Sequence, residues 1–208
     1  MRALSDRFSN YSLTFISRGA ARYHKISTAL PTIAGPFAAP LDSLQDWASW
    51  VASQNPDDAA DASEVVTILQ EPATPPGDQP IPQGFNSDVG ARTSASTCVN
   101  GAGAILYDPF GVTLLTPPAL RFMKFHEIGH FAMKHLRCGS DPLVSPNYTE
   151  KEADCWAVGE LRKRGVVGRD AILQASAYIK SRNDPAQGAY ESSAVRSRYL
   201  REGCGTPL

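Results

Sequence analysis

The run Phe125-His126-Glu127-Ile128-Gly129-His130 contains an HExxH motif, and Glu150 and Asp154 open and close an ExxxD motif that begins twenty residues after His130. Residues four apart on a helix sit one turn apart on the same face, so His126 and His130 can present two imidazoles to one metal ion. Glu127 then lies beside that ion. There it is placed to deprotonate a metal-activated water and to hand the proton to a leaving group, acting first as base and then as acid. A catalytic zinc takes three protein ligands and keeps one position open, so the two histidines need a third partner from elsewhere in the chain.

Several residues compete for that position. The pattern with a ligand histidine six residues after His130 would require a glycine at position 133 and a histidine at position 136, where the chain has Met133 and Leu136. His135 is five residues past His130, so on a continuous helix it points about 140° around the axis, away from the metal face, and reads as a surface or packing histidine. Glu152 belongs to Thr149-Glu150-Lys151-Glu152, a T-x-x-E capping box that gives it a local role at a helix start. Glu150 is therefore the candidate third ligand. Asp154 shares its helix face one turn on and can accept the second N–H of a ligand histidine, behind the ligands themselves.

With these residues in this order the chain resembles the gluzincin metallopeptidases, in which HExxH is followed by a glutamate ligand in an ExxxD motif on a second helix. The likeness is to compact single-domain members, called minigluzincins, and it covers about residues 98 to 165. It implies one Zn2+ per chain held by His126, His130 and Glu150, Glu127 as general base, Asp154 hydrogen-bonded to the first histidine, and a peptide or protein as substrate. The run Glu152-Ala153-Asp154-Cys155-Trp156-Ala157 is also similar to the EAD or EAN run of small bacterial and phage peptidases that cleave regulators. Two alternatives stay open beside a zinc-dependent peptidase: a regulatory protease specific for one protein partner, and a catalytically silent zinc-bound binding module.

Composition narrows the remaining choices. With 208 residues, 42% of them hydrophobic, the chain can bury a core and suits one domain with appendages. A net charge of −1 provides no field to draw in nucleic acid or an anionic membrane. No apolar stretch reaches the roughly 18 residues that a membrane span needs. Residues 1–41 carry Arg2, Arg7, Arg18, Arg22 and Lys25 against the single acid Asp6, which suits either a leader or a flexible extension. The peptidase-like domain is expected over 42–208.

The elements that must position the site follow from local patterns. Leu41 to Ser53 reads as a short amphipathic helix, Asp57, Asp58, Asp61 and Glu64 as a solvated linker, and the β-branched run Val65 to Leu69 as a strand. A proline-rich loop follows. Asn100-Gly101 signals a two-residue hairpin between Thr97-Cys98-Val99 and Ala102 to Tyr107. By the family resemblance, Ala104-Ile105-Leu106-Tyr107 is the sheet edge offered to an extended substrate. Thr116-Pro117 and Gly139 bound the HExxH helix at about 117–137, and three more helices are expected near 150–164, 169–182 and 185–202, the last capped by Asp184. The predicted fold is α+β, a small sheet followed by a helical half carrying the two motifs on separate helices. Tyr190, Arg196, Arg198 and Tyr199 on the last helix are candidate donors to an oxyanion.

Four cysteines, Cys98, Cys138, Cys155 and Cys204, contain no C-x-x-C pair and allow two disulfides. The favoured pairing is Cys138 with Cys155, joining the two metal helices, and Cys98 with Cys204. Paired cysteines favour an exported protein, periplasmic or secreted, with four buried thiols in the cytoplasm as the alternative.

Overall fold

Pro117 and Pro118 lack backbone N–H groups and are tolerated in a helix only in its first turn, where no intrahelical acceptor awaits them. Thr116 ahead of them is in extended conformation, and its side chain accepts the Ala119 N–H. That cap starts the central helix. The computed structural model describes residues 39–40, 59–85, 94–99, 102–136, 138, 146–186, 191–202 and 204. Within them run β1 (Ala39–Pro40), α1 (Ala59–Gln70), β2 (Gln83–Phe85), β3 (Ser94–Val99), β4 (Ala102–Tyr107), α2 (Pro109–Thr113), α3 (Pro117–Ala132), α4 (Pro146–Arg162), α5 (Gly165–Arg182) and α6 (Ser193–Glu202). The fold is α+β, with a small sheet followed by a helical half, and HExxH and ExxxD lie on α3 and α4.

The sheet order is β1-β2-β4-β3. β3 and β4 pair antiparallel from Ser94↔Tyr107 to Val99↔Ala102, the two arms of the expected hairpin, whose connecting residues 100–101 lie outside the described set. β2 pairs parallel with β4, Gln83 opposite Ile105 and Phe85 opposite Tyr107. β4 is therefore an interior strand, and among the described strands the edge expected at Ala104–Tyr107 belongs to β3 instead. The cause is the short β2, which emerges from the proline-rich stretch read as loop and covers β4's other side.

Val65 to Leu69 is helical, contrary to the strand expected from its β-branched residues. Ala62, Val65, Val66 and Leu69 recur at helical spacing and are all buried, so packing of this stripe overrides a weak local preference for strand. The same helix carries Asp61 and Glu64, placing them on an element rather than in a linker. A buried Lys124 from α3 donates to the carbonyls of Ile68 and Glu71, satisfying acceptors that the end of α1 leaves open. Burial there pulls the Lys124 pKa down to about 8, although neighbouring Glu71 works against the shift.

Two apolar clusters meet at α3. On one side, α1, the sheet and α2 bury Ile68, Leu69, Phe85, Ile105, Tyr107, Val112, Leu115 and Leu120. On the other, Phe122 and Phe125 pack with Val158, Leu161, Ile172, Ile179 and Leu200 from the later helices. Fully burying each such side chain contributes about 1.5–3 kcal/mol, which is how a helix bearing buried polar groups is held in place. The leader or extension expected over 1–41 and the helix expected over Leu41–Ser53 fall outside the described residues, apart from β1.

Candidate metal centre

α3 and α4 approach closely because Gly129 lies between them: a Cβ there would meet the Ala153 carbonyl oxygen at 2.9 Å and the Trp156 ring at 3.2 Å. That contact brings the Glu150–Asp154 face of α4 against the His126–His130 face of α3. His126 Nε2 lies 3.2 Å from His130 Nε2 and 3.3 Å from Glu150 Oε2, while His130 Nε2 lies 3.5 Å from Glu150 Oε1. Tetrahedral ligands about 2.0–2.1 Å from one ion stand about 3.3 Å apart, so the three donor groups have the separation that a divalent cation requires. Among the described residues, His126, His130 and Glu150 form the one cluster of metal-ligating groups that converges in this way.

The environment of each group has an identifiable cause. His126 Nδ1–H donates to Asp154 Oδ1 at 2.7 Å, which leaves Nε2 directed at the cluster. Asp154 is fully buried, and its carboxylate also accepts Arg196 Nε at 2.7 Å, Arg196 Nη2 at 2.8 Å and the Tyr199 hydroxyl at 2.6 Å. Burial alone would raise the Asp154 pKa, but the Arg196 guanidinium and His126 outweigh it and hold the carboxyl well below its usual range. Burial likewise disfavours the His126 cation, yet Asp154 and Glu150 raise its pKa to about 10. His130 moves the other way, to about 3, through burial and the charge on His126. Glu150 is lowered despite its burial, chiefly by its hydrogen bond with His126.

Glu127 is buried beside this cluster in the chain, and a serine hydroxyl donates to each of its oxygens: Ser94 to Oε1 at 2.7 Å and Ser96 to Oε2 at 2.6 Å. Both serines lie on β3, two residues apart and so on one face of the strand. The carboxylate is thus fixed by the edge strand.

Comparison with protein families, curated proteins and solved structures finds no match to this chain. The arrangement is consistent with a gluzincin-like HExxH-plus-glutamate site. Two histidines of HExxH and a glutamate from the next helix converge on one point, and that is the geometry of a metallohydrolase site.

Several expectations change. The HExxH helix stops at Ala132, short of 137, because Lys134 adopts a left-handed φ of 58°. The Lys134 N–H then bonds the Phe131 carbonyl and the His135 N–H bonds the His130 carbonyl, the Schellman pattern, formed here without the glycine that usually signals it. His135 therefore turns back instead of continuing around the helix. Its Nδ1 lies 3.2 Å from His130 Nδ1 and its Nε2 lies 3.0 Å from Glu152 Oε2. α4 starts at Pro146, so the helix start expected at Thr149 lies inside the helix.

Of the suggested oxyanion donors, Arg196 and Tyr199 are committed to Asp154, Arg198 is exposed, and Tyr190 lies outside the described residues. The last helix begins at Ser193, so Asp184 is not its cap; the Asp184 carbonyl instead accepts the Ser193 N–H.

Two disulfides are present, as expected, with a different pairing: Cys98 joins Cys138, and Cys155 joins Cys204. The reason is the position of β3 along α3, which brings the end of the strand to the segment that follows the helix. Cys155 on α4 meets the chain just beyond α6. Two disulfides fit an oxidising compartment outside the cytoplasm. Among the described residues no helix is long and apolar enough to cross a membrane.

Proposed function

We propose that the chain is a zinc-dependent peptidase in which His126, His130 and Glu150 hold the ion and Glu127 is the general base. The observation that carries this reading is the triangle of donor atoms from two helices. When bound, the metal supplies Lewis acidity, which lowers the pKa of water and polarises a scissile carbonyl. Glu127 takes a proton from the attacking water on one carboxylate oxygen and delivers it to the departing amine. Ser94 and Ser96 hold that carboxylate in one orientation, so little reorganisation accompanies the transfer.

Asp154 keeps His126 in the tautomer that presents Nε2, and Arg196 with Tyr199 keeps Asp154 ionised and fixed. An extended peptide would pair with the free side of β3, the described edge strand nearest the base, which replaces β4 as the candidate recognition strand.

Metal analysis of the purified protein beside Glu150→Ala, with turnover measured on a broad peptide library, tests the reading. One zinc per chain, lost in the variant, with cleavage that Glu127→Gln abolishes while keeping its zinc, is the expected result. Zinc without cleavage of any peptide would replace the general peptidase with a protease dedicated to one partner or with a silent binding module. Failure of the wild type to take up zinc would overturn the reading.

A further inference from the structure

Building on the metal centre proposed above, we infer that His135 and Glu152 are positioning residues for His130, forming a carboxylate–imidazole relay behind the second ligand histidine. His130 directs Nε2 toward His126 and Glu150, so its other ring nitrogen, Nδ1, is the one available to an outer partner. That nitrogen faces His135 Nδ1 at 3.2 Å, with the two rings edge-on at 73°. His135 Nε2 in turn faces Glu152 Oε2 at 3.0 Å.

Proton counting settles the direction of the relay. A neutral imidazole that binds a cation through Nε2 carries its hydrogen on Nδ1. His130 Nδ1–H therefore donates to a bare His135 Nδ1, His135 keeps its own hydrogen on Nε2, and that N–H donates to the Glu152 carboxylate. With both imidazoles neutral, this assignment gives every contact one donor and one acceptor. Both ligand histidines then end on a carboxylate, His126 directly on Asp154 and His130 through one intervening ring. The relay fixes the plane of the His130 ring and strengthens it as a ligand.

The backbone is built for this arrangement. The left-handed Lys134 turns His135 back under His130, and the His135 side chain is only 8% exposed. Three residues further on, Cys138 is tied to Cys98 on β3, so the turn is anchored on both sides. Glu152 lies on α4 between the ligand Glu150 and Asp154, which couples the placement of all three carboxylates to one helix.

The test is zinc affinity of the full chain by chelator competition, together with the visible spectrum of the Co2+-substituted protein, for wild type, His135→Phe, His135→Asn, Glu152→Gln and Glu150→Ala. His135→Phe keeps the ring shape but offers no acceptor, and zinc binding should weaken on the order of 10–100-fold with a changed cobalt spectrum. His135→Asn places an amide oxygen where Nδ1 was and should recover most of that loss; Glu152→Gln should fall between. The metal-free melting temperature of His135→Phe should fall no further than that of His135→Asn. Wild-type affinity and spectrum in His135→Phe, alongside lost metal in Glu150→Ala, would overturn the relay and leave the metal centre standing. Equal loss in His135→Phe and His135→Asn with lowered metal-free melting temperatures would overturn it in favour of a packing role. A wild type that binds neither ion would overturn the metal centre and the relay with it.

Discussion

Glu127 is a buried carboxylate with a hydroxyl on each oxygen, and that pairing separates the catalytic role proposed for it from any role in holding metal. Glu127→Gln should retain metal by mass spectrometry while peptide turnover falls by about 10²–10⁴-fold, the usual worth of a positioned base. Replacing Ser94 and Ser96 together by alanine leaves a buried charge short of donors, and chemical denaturation should show a loss of about 1–3 kcal/mol for each bond removed. Metal content in that double variant should stay at the wild-type level, since neither serine is a ligand. Asp154→Ala is expected to be harsher. It strips the partner from Arg196, a partly buried cation, and frees the His126 ring, so a stability curve and a zinc titration should both register it. Helical periodicity pairs His126 with His130 and Glu150 with Asp154 in the sequence, and the packing of α4 on α3 brings Glu150 to the two histidines. Ser94 and Ser96 left no such sign, since they reach Glu127 across 33 and 31 residues of chain and belong to no motif.

At the level of elements, the site depends on how closely α3 and α4 can pack. Gly129→Ala would drive a methyl group into the Ala153 carbonyl and the Trp156 ring. The helices must then separate at an expected cost of about 1–3 kcal/mol, and zinc affinity should fall with stability in the same titration. A change two residues before His126, Lys124→Met, should remove the cap from the end of α1 and lower stability by about 1–3 kcal/mol while zinc stoichiometry is kept. The ends of elements proved harder to read than their existence. The start of α3 was evident from Thr116-Pro117, whereas its end depends on a lysine in a conformation usually reserved for glycine. Val65 to Leu69 misled for a related reason: β-branched residues state a mild local preference, and the buried stripe from Ala62 to Leu69 is recognised only with its packing partners in view.

Across the molecule, the two disulfides brace the region of the candidate metal site. Cys98–Cys138 ties β3, which holds Glu127, to the turn that carries His135; Cys155–Cys204 ties α4, beside Asp154, to the chain following α6, which supplies Arg196 and Tyr199. With sequence separations of 40 and 49, loop closure assigns each bridge about 4 kcal/mol of stability. Reduction should therefore lower the melting temperature and weaken zinc binding together. Zinc at about a hundredfold excess over its dissociation constant should add about 2.7 kcal/mol, so chelation should lower the melting temperature reversibly.

Residue types and their spacing were enough to name the candidate ligands and base, the α+β order of a sheet followed by helices, and the number of disulfides. These are local quantities, set within one element or by composition. Which cysteine meets which, that β3 rather than β4 forms the edge, that Arg196 and Tyr199 turn to Asp154, and that His135 folds back onto His130 became visible in the folded chain alone. Each of those depends on the relative placement of separate elements, which burial of the two apolar clusters around α3 fixes and which no short-range pattern encodes.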